Sequence, residues 1–261
     1  MFTWSPDPQL FSFGGVEVRW YGLLFSLAFL SSFSVMVWIF HRENKSDALL
    51  NKLFLYVFVA VVVGARLGHC LFYSPEYYLT NPVEILKIWQ GGLASHGAAA
   101  GILVALLLFS RNTRGVNFFW VTDRVSVVIP LAAIFVRLGN FFNSEILGLP
   151  TTLPWAVVFS RIDSIPRHPV QLYEATAYLL IFLVMVLLYR KGMTARPGRL
   201  TGGMLSMLFS ARFMLEFFKT GQSTLDPAMP ITMGQLLSIP LVAFGIWLLV
   251  HRPPEKTKPH S

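Results

Sequence analysis

Charged residues are scarce in this 261-residue chain, since Asp, Glu, Lys and Arg together make up 13% of it. Typical soluble domains carry about 25% charged residues. Hydrophobic residues instead make up 54% of the chain, and the mean hydropathy is +0.59. Because the surface of a large soluble domain needs more charge than this, the composition argues against a soluble protein. It predicts a chain that lies largely in lipid.

Cysteine is almost absent, since Cys70 is the single one. One cysteine excludes an internal disulfide and a thiolate metal site, and inside an apolar run it is expected to be a small core residue. The histidines, aspartates and glutamates form no close ligand set. Phosphate-binding loops, zinc-protease motifs and nucleophile elbows are also missing from the sequence. We therefore expect neither a metal nor another cofactor.

The positive net charge of +8 is the one feature that suggests nucleic acid. The basic residues, however, are dispersed over loops between apolar runs and do not gather on a soluble module. This distribution favours anionic membrane lipids as partners and argues against nucleic acid.

Long apolar runs are what the sequence has in abundance. About 17 to 25 mostly apolar residues are enough for a helix to cross the hydrocarbon core of a bilayer. We identify seven such runs, at residues 20–40, 53–73, 92–109, 118–142, 172–189, 202–218 and 236–250. The residues before Trp20 have no basic start and no small-residue cleavage site, so a removable signal peptide is not expected. The predicted fold is all-α, a polytopic membrane protein with about seven transmembrane helices.

Lysine and arginine are distributed unequally between the two sets of predicted loops. Of the 21 such residues, twelve lie on one side and four lie within spans. The other side has five, at Arg19, Lys87, Arg161, Arg167 and Lys219. The more basic side is cytoplasmic by the positive-inside rule. We therefore predict that the N-terminus lies outside and the C-terminus inside.

Arginines occur within the apolar runs, where an ionisable group needs an anion, a partner or a wet cavity. In the predicted orientation Arg66, Arg137 and Arg212 all lie in the outer halves of their spans. Tyr21 and His96 lie at outer entrances. The planar donor set of arginine matches phosphate oxygens. The sequence therefore predicts a cationic cluster at the outer leaflet that suits the phosphate of a phospholipid.

Several of these residues have an equally simple structural interpretation. Arg66 could extend its side chain to the interface. Arg212 and Glu216 are one helical turn apart and could form a structural ion pair. His96 is followed by Gly97-Ala98-Ala99-Ala100-Gly101, a small-residue face that allows close helix packing. The histidine is therefore expected where two helices meet.

An ordered series of motifs runs through the chain. It consists of Trp20-Tyr21-Gly22, Gly64-Ala65-Arg66, the run from Gly91 to Gly97, RLGNFFNSE from Arg137, the run from Arg167 to Glu174, Arg212 with Glu216-Phe217-Phe218, and Met233-Gly234-Gln235. The series closely resembles the prolipoprotein diacylglyceryl transferase family, in the same order and over nearly the whole chain. The block from arginine to glutamate is the most specific of these motifs.

The resemblance implies a single transmembrane transferase domain over residues 1–261 in the bacterial inner membrane. It implies a periplasmic head at 143–169, a cytoplasmic tail at 252–261 and an active site open to the periplasm and the outer leaflet. The implied reaction transfers the diacylglyceryl group of phosphatidylglycerol to the lipobox cysteine thiol of a preprolipoprotein and releases glycerol phosphate. This is the first step of bacterial lipoprotein maturation, and it is expected to proceed without a metal.

The resemblance also implies roles for individual residues. In the family, the arginine of the RLGN block binds the phospholipid, and the histidine of the third span and the arginine of the sixth are essential or nearly so. The matching positions, Arg137, His96 and Arg212, are the predicted catalytic residues. The predicted substrate-binding residues are Arg137, Tyr21, Arg66, Asn140, Asn143, Glu145, Gly148, Arg167 and Glu216.

Three positions depart from the family pattern. Ala98 replaces the second glycine after the histidine, Ser144 replaces the glycine of a common Asn-Gly-Glu, and Leu208 stands where many members have a tyrosine. These departures affect the detailed roles and leave the arginines intact.

The sequence leaves the proton acceptor and the function class open. The lipobox thiol must lose its proton, because thiolate is the nucleophile, and His96, Glu145 or Glu216 could accept it. An anionic-lipid transporter or a non-catalytic lipoprotein-binding protein would use the same arginines. A transporter is disfavoured because the chain has no internal repeat of broken helices.

Overall fold

The structure is a computed structural model that describes residues 2–13, 16–87, 92, 94–221 and 231–251. Most of this part of the chain is helical. Its α-helices are α1 (Trp20–Arg42), α2 (Asp47–Tyr73), α3 (Pro75–Thr80), α4 (Ser95–Arg111), α5 (Phe118–Phe142), α6 (Val170–Arg190), α7 (Arg199–Leu215) and α8 (Met233–His251). Its strands are β1 (Phe2–Trp4), β2 (Gln9–Phe13), β3 (Val16–Arg19), β4 (Val157–Phe159) and β5 (Pro166–Arg167).

Five of the helices, namely α1, α2, α5, α6 and α8, are long and apolar enough to cross a membrane. They coincide with five of the predicted spans, so the chain is a multi-pass membrane protein. The other two predicted spans correspond to α4 and α7, which have 17 residues each. That length is at the short end of the spanning range, and the crossing of these two helices stays a prediction.

The chain divides into two compact units. One is Met36–Thr122, called here the central unit, and the other comprises Met1–Val35 with Asp123–Ser261, called here the terminal unit.

In the central unit, α2 and α4 pack backbone to backbone. A Cβ added to Gly68 would lie 2.7 Å from Gly97 Cα, and one added to Gly64 would lie 3.1 Å from Gly101 Cα. Only glycine allows this approach, so the prediction that small residues after His96 form a helix contact is confirmed. Cys70, on α2, is buried, as expected of a core residue.

In the terminal unit, a buried carboxylate sets the start of α7. Asp123, on α5, accepts hydrogen bonds from the backbone N–H of Gly198 at 2.7 Å and from both N–H and Oγ1 of Thr201 at 2.9 and 2.8 Å. A carboxylate at a helix N-terminus satisfies donors that have no partner within the helix. This contact anchors the helix that carries Arg212.

The strands of the terminal unit were not predicted, because runs of two to five residues are too short to show an alternating pattern. β1 pairs in parallel with β4, β5 pairs antiparallel with β4, and β2 and β3 form a separate hairpin. Trp4 of β1 donates its indole N–H to the carbonyl of Phe141 at 3.0 Å. Trp4 thereby packs against the core of Phe141, Val157 and Phe159 at the end of α5.

Candidate functional site

Glu174 lies at the centre of a buried polar network in the terminal unit. Its side chain has no exposed surface, and Arg137 Nε on α5 lies 3.1 Å from Oε2, an ion pair outside hydrogen-bond angles. Lys219 Nζ donates to Oε1 at 2.8 Å, and the Tyr178 hydroxyl, one turn along α6, lies 3.4 Å from the same oxygen. Arg137, Glu174, Tyr178, Glu216 and Lys219 are called here the Glu174 network.

Glu216 joins this network through the same lysine. Lys219 Nζ donates to Glu216 Oε2 at 3.0 Å, and both side chains are almost fully buried. Gly234, at the start of α8, packs so closely on the Glu216 carboxylate that an added Cβ would collide with it. The structural ion pair considered as an alternative for Arg212 and Glu216 is not present, since Glu216 pairs with Lys219 and Arg212 has no ion pair among the described residues.

Glu145 is held by amides. Asn140 Nδ2 donates to Oε2 at 2.9 Å and Asn143 Nδ2 donates to Oε1 at 3.1 Å. Arg137 Nη1 donates to Asn140 Oδ1 at 3.3 Å, so one asparagine links the arginine to the glutamate. The RLGN block thus builds a connected site at the last turn of α5.

Tyr21 and Arg212 lie beside these groups. Tyr21 packs on Gly139, where an added Cβ would lie 2.8 Å from its ring, and it is within electrostatic range of Glu145 and Arg137. Arg212 is half-buried, and within the described ranges its guanidinium has neither a hydrogen bond nor an ion pair. Its guanidinium and that of Arg137 both interact electrostatically with Tyr178. Arg212 therefore keeps its donors for another ligand.

The loop after α5 is fixed by backbone pairing. Gly148 bridges to Lys219 and packs so closely on His168 that a side chain there would collide. Arg167 donates from Nη1 to the Gly148 carbonyl at 3.3 Å and from Nη2 to Asp163. The bond from Arg167 lowers the pKa of the Asp163 carboxyl below its ordinary value, and a backbone bond from Ile165 adds to the effect. Arg167 is therefore engaged within the protein.

The two predicted site residues of the central unit have different surroundings. Arg66 is buried, and its guanidinium donates to the carbonyls of Glu84, Ile85 and Gly92. These contacts favour the structural interpretation of Arg66. His96 is exposed near the start of α4, with its ring 5.4 Å from that of Phe72. Its approach to the arginines of the other unit stays a prediction.

Sequence reasoning singled out most of these residues and missed three. Nine of the predicted site residues lie in the terminal unit, namely Tyr21, Arg137, Asn140, Asn143, Glu145, Gly148, Arg167, Arg212 and Glu216. Lys219, Glu174 and Tyr178 were not identified as site residues. One feature of the sequence could have identified Glu174. It is the last residue of a recognised motif and lies within an apolar run, where a glutamate needs a cationic partner.

The arrangement suits an anionic ligand with a nearby apolar part. The guanidinium groups of Arg137 and Arg212 both interact electrostatically with Tyr178, and that of Arg212 makes no hydrogen bond or ion pair with the described residues. Guanidinium groups that are already in place stabilise negative charge that develops on a phosphate oxygen, particularly where water is scarce.

Comparison with known proteins identifies the family. A family model described as prolipoprotein diacylglyceryl transferase matches residues 8–251. A phosphatidylglycerol–prolipoprotein diacylglyceryl transferase of Chloroherpeton thalassium is 48% identical over 94% of this chain and 92% of its own length. Proteins with the same name from Tolumonas auensis and Bacteroides fragilis are 46% and 40% identical, over 99% and 95% of this chain and 100% and 94% of theirs.

Proposed function

The chain belongs to the prolipoprotein diacylglyceryl transferase family, and we propose that it transfers the diacylglyceryl group of phosphatidylglycerol to a lipobox cysteine of preprolipoproteins. The thiolate sulfur forms a bond to the glyceryl carbon, the carbon–oxygen bond to phosphate breaks, and the electron pair leaves on the phosphate oxygen. Glycerol phosphate is released, and the diacylglyceryl group stays on the cysteine as a thioether.

The observation that carries this proposal is that Arg137 lies in the buried Glu174 network and that Arg212 also interacts electrostatically with Tyr178 of this network. Arg212 has its donors unused among the described residues, and Arg137 is oriented by Glu174 and Asn140. We assign both to the lipid phosphate, where negative charge grows as the carbon–oxygen bond breaks. We assign supporting roles in lipid binding to Tyr21, Asn140, Asn143, Glu145, Gly148, Arg167 and Glu216.

His96 is the proposed acceptor of the thiol proton. Glu145 and Glu216 are less suited to this role, because their carboxylates already accept hydrogen bonds within the protein, Glu145 from Asn140 and Asn143 and Glu216 from Lys219. The His96→Gln variant should bind phosphatidylglycerol normally while turnover falls by the roughly 10² to 10⁴ typical of losing a general base. The deficit should shrink from about pH 6 to pH 9 as thiolate forms unaided. A deficit that does not change with pH would move the assignment to a glutamate.

The decisive experiment for the reaction is peptide-dependent release of glycerol phosphate. The purified protein is incubated with phosphatidylglycerol and a peptide that contains a lipobox cysteine, with a Cys→Ser peptide as the control. We expect glycerol phosphate and a lipid-modified peptide only with the cysteine peptide. A transporter would move the lipid without cleaving it, and a binding protein would hold the peptide unmodified.

We further propose a single domain in the bacterial inner membrane with seven spans, a periplasmic N-terminus and a cytoplasmic C-terminus. The asymmetry of lysine and arginine supports this orientation, with 143–169 as a periplasmic head. The predicted tail at 252–261 is outside the described residues. In a Cys70→Ser background, Ser164→Cys should react with a membrane-impermeant thiol reagent in spheroplasts, and Arg196→Cys should not. The reverse result would overturn the orientation.

A further inference from the structure

Lys219 is a buried lysine to which neither the motifs nor the proposed mechanism gives a role. Its side chain is 2% exposed, yet it contacts two carboxylates, Glu174 at 2.8 Å and Glu216 at 3.0 Å. A buried cation of this kind is costly to desolvate unless its partners compensate for it. Its position between Glu174, which pairs with Arg137, and Glu216, which lies four positions after Arg212, points to an electrostatic role.

The first carboxylate is shared with Arg137. Glu174 directs Oε2 towards Arg137 and Oε1 towards Lys219 and Tyr178. A carboxylate with two cationic partners neutralises neither of them completely. Arg137 therefore keeps part of its positive charge for another anion.

The second carboxylate is kept from Arg212. Glu216 lies four positions after Arg212, a spacing that favours an ion pair on a helix. In the structure α7 ends at Leu215, and Glu216 begins a short 3-10 helix in which it pairs with Lys219. Arg212 has no ion pair with any residue in the described ranges, and Oε2 of the carboxylate four positions along the chain is paired with Lys219 instead.

We propose that Lys219 is a positioning residue. Its charge offsets that of the two carboxylates, so that the group of residues around both arginines keeps a net positive charge towards the lipid phosphate. With Lys219, the two arginines and the lysine outnumber Glu174 and Glu216 by one positive charge. Without Lys219, each arginine has one carboxylate to neutralise it. Glu145 does not alter this difference, since its carboxylate is held by Asn140 and Asn143. The inference rests on the proposed function, because the anion is taken to be the phosphate of phosphatidylglycerol.

The test compares two lysines of the predicted outer side. Lys219→Met removes the network charge, whereas Lys87→Met removes a lysine that pairs with Glu84 in the central unit. Affinity for phosphatidylglycerol in neutral detergent micelles should fall about 10- to 100-fold in Lys219→Met, since a unit charge is lost close to the anion. It should stay within about twofold in Lys87→Met and within about threefold in Lys219→Arg.

Two further measurements separate charge from packing. Affinity for diacylglycerol, which lacks the phosphate, should stay within about twofold in Lys219→Met. If that variant folds poorly, Lys219→Met/Glu174→Gln removes one carboxylate together with the lysine. Its excess of one positive charge should bring the affinity for phosphatidylglycerol to within about fivefold of the wild type.

The proposal is overturned if Lys219→Met keeps its affinity for phosphatidylglycerol, if diacylglycerol binding falls equally, or if the double variant recovers nothing. Peptide modification is scored separately from binding. A wild-type protein that binds the anionic lipid but does not modify the peptide contradicts the proposed function, while the binding comparison still decides the role of Lys219.

Discussion

The two units differ in how completely their buried polar groups are bonded. Among the described residues of the central unit, no buried side-chain nitrogen or oxygen lacks a hydrogen-bond partner. The described residues of the terminal unit have eight such atoms, and six of them belong to residues within 137–144 and 167–174. Two of the six, Arg137 Nε and Glu174 Oε2, form an ion pair with each other at 3.1 Å. Unbonded buried polar atoms are rare in native proteins and call for an explanation. Their concentration around the Glu174 network indicates a region shaped for binding more than for stability.

Two arginines show what this difference means. Arg66 and Arg212 were predicted at similar depths in the outer leaflet, and the residue type alone does not distinguish them. The guanidinium of Arg66 donates to three backbone carbonyls of its own unit, whereas that of Arg212 has no hydrogen bond to a described residue. An arginine within a span therefore indicates a binding site only if the protein does not itself satisfy the guanidinium.

The largest expected effect is at Arg212. Arg212→Lys should lower transfer to a lipobox peptide by at least about 100-fold, because an ammonium cannot reproduce the forked contact to a phosphate. Its melting temperature should change by less than about 2 °C, since no bond within the described protein is lost. Arg137→Lys should be equally inactive but less stable, because it also loses the contacts to Glu174 and Asn140. Near-normal transfer of the diacylglyceryl group by either variant would contradict the assignment of that arginine to the lipid phosphate.

Arg66 should show the opposite pattern. Arg66→Met removes the charge-assisted hydrogen bonds of a buried guanidinium to partly buried carbonyls and should lower the free energy of unfolding by about 2–4 kcal/mol. Affinity for phosphatidylglycerol should stay within about threefold, measured on the folded fraction at low temperature. A selective loss of lipid affinity with unchanged stability would instead support the predicted role of Arg66 in substrate binding.

A smaller effect is expected at Ser144, beside the Glu145 site. Its φ of +57° is a left-handed conformation that favours glycine, and its Oγ is buried without a partner. Ser144→Gly should therefore raise the free energy of unfolding by about 1 kcal/mol. The matched control is Ser164→Gly, an exposed serine outside the left-handed region, which should be neutral or slightly destabilising. A loss of stability in Ser144→Gly would show that the strain is compensated.

The smallest effect concerns Asp163 and its partner Arg167. Because Arg167 lowers the pKa of Asp163, the ionised carboxylate stabilises the folded state above the unfolded pKa of about 3.9. This contribution is lost as the pH falls through the lower pKa of the folded state. Asp163→Asn should lower the melting temperature by about 1–2 °C at pH 7 and have a smaller effect below about pH 4. A difference that grows in acid would contradict the assignment.

Much of the fold could be predicted because it depends on local properties. Apolar runs located five helices that can cross a membrane, and the small residues after His96 predicted the contact between α2 and α4. The order of the motifs predicted the family. The strands could not be predicted, because β1 is stabilised by pairing with β4, more than 150 positions away. Lys219 could not be recognised either, since its partner Glu174 is 45 positions away.

The sequence by itself determined the membrane character, the family and most of the polar residues in the site. Run length, composition and motif order are properties of the chain that folding does not change. Only the tertiary structure decided which arginines the protein satisfies internally. The carbonyls near Arg66 and the carboxylate shared by Arg137 and Lys219 come from residues distant in sequence. Such contacts depend on how helices pack, and packing sets the distances on which charge interactions depend.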